Sequence, residues 1–437
     1  MAHFGILIPP TQGHLLPFLA LSRTLMQRNH RLTVFGIADL QKSVERAGVG
    51  FRAIGEAAFP VGSSQRFQQA MNRFSGLEAM LHWNDHNVQT ARTLAPELLD
   101  CLPQAGLDGL LIDQIDLLGA SIAEALSLPF VTICVAEPFN WEPTIPPTFV
   151  DFEYNPTAYG ESMYGMMMKR ILRDFNPVID CIQTFRQEQG LAPYDPMTCL
   201  YPVSPLAQIA QLPQFLDLPR QALPDSFLYA GPFAHPHETA IAFPYERLDG
   251  RPLVYASMGT LVNGKYALLR SIAEACAAMG CQAVMPIGMG GDVAEFADLP
   301  GNPVVVEFAP QRDLLRQSHL LITHAGLNTV LDGIRAGVPM VAIPISLDQP
   351  GTATRVKWAG LGEVVSYRRA STATILAAMQ TVCTQPAYRE RALHWQSAMN
   401  QLDGATTAAD RIEAALVTNA RPTLIDVVIA DEEPSFV

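Results

Sequence analysis

Two groups of residues in this 437-residue chain have the types and the spacing for chemistry. In the first, His14 opens a helix directly after the turn "PPTQG", and Asp113 closes the apolar run "GLLID". Both are expected to project from strand ends toward one crevice. A histidine backed by a carboxylate is a general-base pair, because the acid fixes the imidazole tautomer and stabilises the imidazolium formed on proton uptake. The plainer alternative is that His14 only starts a helix and Asp113 only caps the next one. The second group lies in "ITHAGLNTVLDGIRAGVPMVAIPISLDQPG", residues 322–351. His324 ends a strand, Gly326 turns the chain, and Asn328 and Thr329 begin a helix whose free N–H groups and dipole suit an anion. Asp348 and Gln349 follow the next strand, and "SMGT" (257–260) offers Gly259 and Thr260 from another strand end. Taken singly, Asn328 is an N-cap and Gly337 a C-cap. Taken together, polar strand ends converging in one half favour a phosphate-bearing ligand.

The elements that must hold these residues alternate. "HFGILIPP" is a short apolar run; Leu15, Phe18, Leu19, Ser22 and Leu25 then fall at helical spacing, and "RLTVFG" follows as a strand. "GLLID", "GASIAEALS" and "PFVTICV" repeat the β-α-β scheme, which implies a parallel sheet covered on both faces. From Pro252 the rhythm restarts: "PLVYASMG", "YALLRSIAEACAAMG", "QAVMPIG", "PVVVEFA", "QRDLLRQS", "LLITHAG", "NTVLDGIRAG" and "PMVAIPI". The expected fold is α/β, with two facing Rossmann-like doubly wound domains: 1–232, a Pro-rich linker over 233–250, 251–404, and a C-terminal helix and tail over 405–437. Ligands of such sheets sit at the carboxyl ends of the strands, where both groups fall.

Composition narrows the function. A formal charge of −13 argues against nucleic acid or an anionic membrane as the main partner. Seven cysteines, scattered through apolar segments, read as reduced core thiols; Cys276 and Cys281 are the closest pair and no ligand cluster stands beside them, so no metal site is expected. The opening "MAHFGILIPPTQGH" lacks the features of a signal peptide and no apolar run of spanning length occurs, so the expected compartment is the cytoplasm. "GMGGD" (288–292) lacks the spacing of a dinucleotide fingerprint, His235 and His237 read as solvated, and the acidic end "DEEPSF" reads as disordered.

The stretch from "FAPQRDLL" at 308 to "DQPG" at 348 resembles the donor-binding signature of family-1 UDP-glycosyltransferases, enzymes of GT-B architecture. The resemblance implies that Phe308 stacks on uracil while Ala309 meets the base through its backbone, with Gln311 also on the donor side. It implies that His324, Asn328 and Thr329 hold the diphosphate, with Gly326 also on the donor side and Thr260 near the phosphates, that Asp332 binds the ribose hydroxyls, and that Asp348 with Gln349 holds the sugar. His14 matches the family's base and Asp113 its partner; Asp116, otherwise a solvated helix start, competes for the second role. Three positions depart from the plant pattern: Phe308 and Leu327 replace tryptophans, and Asp332 replaces a glutamate, one methylene shorter. "NTVLD" with "LDQPG" looks most like bacterial zeaxanthin (carotenoid) glucosyltransferases, with the macrolide and polyphenol natural-product branch as a close alternative.

The activity so implied is inverting transfer of glucose from UDP-glucose to a hydroxyl of a lipophilic acceptor, with no metal or other cofactor. A non-catalytic nucleotide-sugar-binding protein and a GT-B epimerase share the architecture. Residues 138–170 combine prolines, aromatic rings and Met163, Met166, Met167 and Met168, an adaptable apolar composition that reads as acceptor wall or as a helix packed on the core. Lys169, Arg170 and Arg173 beside them suit peripheral contact with a membrane surface. The amphipathic stretch 404–418 is expected, by the same analogy, to cross back onto the first domain.

Overall fold

The computed structural model describes residues 1–195, 197, 200, 202–233, 241–259, 265–288 and 292–417. Among these residues there are two sheets, and every strand pairing in them is parallel. The first comprises β1 (His3–Leu7), β2 (Arg31–Gly36), β3 (Gly50–Ala53), β4 (Gly109–Asp113), β5 (Phe130–Cys134), β6 (Gln208–Ala210) and β7 (Phe227–Tyr229), in the order β3-β2-β1-β4-β5-β6-β7. The second comprises β8 (Leu253–Ser257), β9 (Gln282–Pro286), β10 (Val304–Val306), β11 (Ser318–Thr323), β12 (Met340–Ala342) and β13 (Gly362–Val364), in the order β10-β9-β8-β11-β12-β13.

These strands are short, almost continuous apolar runs because helices cover both faces and leave no solvent side to mark with polar residues. The strand order reverses between β1 and β4 in the first lobe and between β8 and β11 in the second. At such a switch point neighbouring connections leave the sheet in opposite directions and open a crevice beyond the strand ends. His14 and Asp113 flank the first crevice; Gly259 and His324 flank the second.

The helix Gln12–Gln27 buries Leu15, Phe18, Leu19, Ser22 and Leu25, the set its spacing marks. The helix Gly404–Leu416 lies against it: Ala408, Ala409, Ile412 and Leu416 join the core of the first sheet, and Arg28 bonds Asp410 and Glu413. The last described helix therefore returns to the first lobe. A second core crosses the junction, joining Cys134, Ala210, Leu212 and Leu216 of the first lobe to Tyr255, Leu321 and Met340 of the second. Within the expected linker, Phe233 packs in the first core while Phe243 and Leu248 pack on the second, and residues 234–240, with His235 and His237, lie outside the described residues. Met289, Gly290 and Gly291 of "GMGGD", the tail from 418 and Cys199 also lie outside them. Cys101, Cys134, Cys181, Cys276 and Cys281 are buried free thiols; Cys383 departs from the expectation of a core thiol because it is exposed at the end of the helix Thr372–Thr384. No helix among the described residues is long and apolar enough to cross a membrane.

Candidate active site

A cleft of about 410 Å³ separates the two switch points and is lined from both lobes. His14, Ile115, Phe139 and Phe149 lie on one side; Phe308, Ala309, Gln311, His324, Gly326, Asn328, Thr329, Asp348 and Gln349 lie on the other.

On the first side His14 Nδ1 is 2.7 Å from Asp113 Oδ2. The carboxylate can only accept, so Nδ1 carries the hydrogen and Nε2 presents a lone pair. The other Asp113 oxygen accepts from the Ile115 N–H at 3.0 Å, which fixes the carboxylate in turn. Asp113 is fully buried, whereas the His14 side chain keeps 19% of its exposure, enough for a reactant to reach it. Burial alone pulls the imidazole down; the charge and hydrogen bond of Asp113, with the charge of Asp348 across the cleft, outweigh it and hold His14 above its ordinary value. Asp116 does not meet the imidazole. Its Oδ1 accepts from the Gly119 N–H at 2.7 Å, and burial pushes its carboxyl up to about 6, so it is a half-buried turn carboxylate and not a solvated helix start.

On the second side β11 delivers His324 into a turn in which Ala325 adopts φ +66°, a left-handed conformation that a side chain tolerates at a cost. His324 Nδ1 lies 3.3 Å from the Ser257 carbonyl, again leaving Nε2 as a lone pair. No carboxylate compensates here, and burial takes this imidazole down to about 4. Two glycines make room for the ring. A Cβ on Gly259 would sit 2.6 Å from His324 Nε2, and one on Gly326 closer still. The helix Leu327–Ala336 starts at this point, and Gly337 ends it at φ +67°.

Several expected ligand contacts are arranged differently. Asp332 is not among the residues lining the cleft: its oxygens accept from Arg312 Nε at 3.0 Å and Gln311 Nε2 at 2.8 Å. The short aspartate stem leaves the carboxylate back against this guanidinium, where charge and a hydrogen bond hold it. Asn328 is no cap; it bridges the lobes, donating to the Gly13 carbonyl at 2.9 Å and accepting from Gln211 Nε2 at 2.9 Å. The Gln349 oxygen accepts from the N–H groups of Ile345 (2.8 Å) and Ser346 (3.0 Å), so only its amide hydrogens remain for a ligand. Asp348, the first residue before its helix Gln349–Trp358, makes no side-chain cap bond and is carried by Leu347 at φ +58°. Phe308 is 42% exposed, a free aromatic face on the cleft, and Ala309 is buried beside it. Thr260 lies outside the described residues.

The apolar wall follows the expectation in part: Phe139 and Phe149 of the stretch 138–170 line the cleft, but its methionines do not. None of Met163, Met166, Met167 and Met168 lines this cleft; Met168 turns to a neighbouring cavity and Met166 to solvent. The wall is built from Phe139, Phe149 and Phe175 and from Met80, Trp83 and Asn84 of the helix Gly76–Cys101. Asn84 is buried and its Nδ2 has no hydrogen-bond partner among the described residues. The i, i+3, i+4 spacing of Met80, Trp83 and Asn84 was the available signal for this face, although spacing cannot say what the face meets.

The description "UDP-glucoronosyl and UDP-glucosyl transferase" belongs to a family model that matches residues 27–406. The chain belongs to this family. As a family-1 glycosyltransferase it is similar to the zeaxanthin glucosyltransferase of Pantoea ananas, at 32% identity over 96% of this chain and 97% of that protein. It is also similar to the zeaxanthin glucosyltransferase of Pseudescherichia vulneris, at 31% identity over 95% and 98%. Among solved structures, the glycotransferase of kitacinnamycin superposes with a TM-score of 0.72 at 21% identity, covering 95% of this chain and 99% of that one. The calicheamicin glycosyltransferase CalG4 superposes at 0.71 and 21%, covering 95% and 98%. These structures establish the GT-B fold of this glycosyltransferase. The span matched by the family model begins after His14.

Proposed function

We propose that this glycosyltransferase moves glucose from UDP-glucose to a hydroxyl of a lipophilic small molecule, a carotenoid alcohol such as zeaxanthin foremost, with inversion at the anomeric carbon. The observation that carries this reading is the Asp113-held imidazole of His14 facing Asp348 across the cleft. An alcohol is a poor nucleophile at neutral pH. His14 Nε2 takes the acceptor proton as the acceptor oxygen bonds to the anomeric carbon, and Asp113 stabilises the imidazolium. The bond from that carbon to the phosphate oxygen breaks on the far side, and UDP leaves with the electron pair.

Asp348 and the Gln349 amide hold sugar hydroxyls, Phe308 stacks on the base, and the start of the helix Leu327–Ala336 with His324 and Thr329 receives the growing phosphate charge. The helix N–H groups and the Thr329 hydroxyl are donors that need no metal, and His324 joins them on taking a proton. The names of the relatives and the aromatic wall of Phe139, Phe149, Phe175 and Trp83 support a lipophilic acceptor. We also propose cytoplasmic residence with peripheral membrane contact through the outer face of the helix Ala158–Asp174, where Tyr159, Met166, Lys169, Arg170 and Arg173 are exposed. Vesicle flotation without co-migrating protein would remove that part.

The decisive experiment is incubation with UDP-glucose and a panel of hydroxylated lipophiles including zeaxanthin, followed by mass detection of hexose adducts. Adducts that form with wild-type enzyme and not with His14→Ala support the reading. UDP-sugar consumed with no acceptor present, and no adduct on any acceptor, would replace it with the epimerase alternative.

A further inference from the structure

A second cavity, of about 380 Å³, lies beside the cleft and shares Phe139 and Phe149 with it. The centroids of these two rings are 5.4 Å apart, so a thin aromatic wall divides the two spaces. This volume falls within the roughly 300–1,000 Å³ typical of small-molecule sites. Trp141, Met168 and Ile171 give the chamber an apolar body.

One wall of the chamber is polar, and most of it is internally satisfied. Gln208 and Asn140 exchange two hydrogen bonds of 2.8 and 3.0 Å. Arg220 donates to the Pro138 and Asn140 carbonyls and to Asp217. Gln114 is different. Its Nε2 donates to the Glu137 carbonyl at 2.8 Å, which fixes the orientation of the amide. Its Oε1 has no hydrogen-bond partner among the described residues, although the residue is only 2% exposed. A buried acceptor of this kind gains free energy from any ligand that brings it an O–H. Gln114 directly follows Asp113, so the end of β4 carries the partner of the base and then this unpaired oxygen.

We propose that the chamber is a distal acceptor subsite, entered past Phe139 and Phe149, that takes an apolar end group whose hydroxyl donates to Gln114 Oε1. This rests on the lipophilic-acceptor reading above and deepens it: the preferred acceptor is elongated and carries a second hydroxyl remote from the one that reacts. Another cavity meets the cleft at Met80, Phe149 and Leu347, but Asp151, Arg170, Asp174 and Arg368 line it, and charged walls disfavour an apolar end group.

Two variants test the subsite. Ala222, on the exposed rim of the chamber, becomes tryptophan to fill it; Gln114 becomes methionine to remove the acceptor at similar volume. With Ala222→Trp, KM for a long polyene diol rises roughly tenfold, while kcat/KM for a short one-ring alcohol that fits the cleft alone stays within about twofold. Gln114→Met raises KM for the diol more than for the matching mono-alcohol. Equal changes for the long and short acceptors, or none for either, would overturn the proposal.

A binding readout separates this inference from the transfer reading. Quenching of tryptophan fluorescence by the diol is expected in the wild type and reduced in Trp141→Phe. Quenching at Trp141 without sugar transfer to any acceptor keeps the chamber as a lipophile site and removes the transfer reading. Transfer to the diol with no Trp141 quenching removes the chamber.

Discussion

His14 and His324 are two imidazoles facing one cleft from opposite lobes, each at a switch point of its sheet and each with Nδ1 turned to an oxygen. The oxygens differ in charge. A buried carboxylate at 2.7 Å lifts His14 above its ordinary value, while a neutral carbonyl at 3.3 Å cannot offset burial, and His324 falls to about 4. The same ring is thereby suited to the two tasks proposed above. His14 would take a proton from an alcohol and keep it. His324, neutral with a bare Nε2, would become a donor to a phosphate only by taking a proton when the anion arrives. On this view donor binding is itself a protonation event.

The largest expected effect tests the first half of the contrast. His14→Ala lowers kcat by roughly 10²- to 10⁴-fold, the usual worth of a general base, and leaves UDP affinity unchanged by titration calorimetry. Loss of UDP binding in this variant would move His14 to the donor side.

Asp113→Asn comes next, at about 10- to 100-fold in kcat/KM, the loss of a charge-assisted hydrogen bond. Its pH profile carries a sign. With His14 as the proposed base, active in its neutral form and raised above its ordinary value, wild-type kcat/KM is expected to fall as pH drops through that raised value. Removing the carboxylate charge lets burial dominate, so the acid limb of Asp113→Asn moves to lower pH. A limb that stays in place would separate the raised value from Asp113.

His324→Gln addresses the other ring and weakens UDP by roughly tenfold. Wild-type affinity should fall as pH rises from 5 to 8, because the bound anion lifts His324 from about 4 and the complex holds an extra proton. His324→Gln should flatten this slope to that of UDP ionisation alone. Buffers of differing ionisation enthalpy measure the proton uptake directly. The smallest shift of the acid limb is that of Asp348→Asn, which removes a more distant charge from His14 and moves the limb the same way as Asp113→Asn, but less, whatever its cost to sugar binding.

The proposed donor side was the more legible of the two in the amino-acid order. Its residues sit within one continuous strand-turn-helix-strand segment, so chain connectivity alone brings His324, Gly326, Thr329 and Asp348 to one sheet end. Exceptions arise where a side chain had a nearer partner than the cleft: Asp332 is taken by Arg312 and Gln311, and half of Gln349 by the backbone of its own turn. The proposed acceptor side was legible only in part: of the stretch 138–170, Phe139 and Phe149 reach the cleft but the methionines do not, and the rest of the wall comes from Phe175 and from Met80, Trp83 and Asn84 of an earlier helix.

The chain's own order determined the alternation of strand and helix and the two lobes, because burial on both faces writes itself into short apolar runs and helical spacing; the switch points came with the strand order of the folded sheets. Tertiary structure decided what required distance to close: that His14 and Asp113, 99 residues apart, meet at 2.7 Å. It also decided that Asn328 ties the lobes through Gly13 and Gln211, and which face of a long helix turns to the cleft. The physical reason is one of range. Periodicity records whether a side chain is buried, and only packing settles what it is buried against.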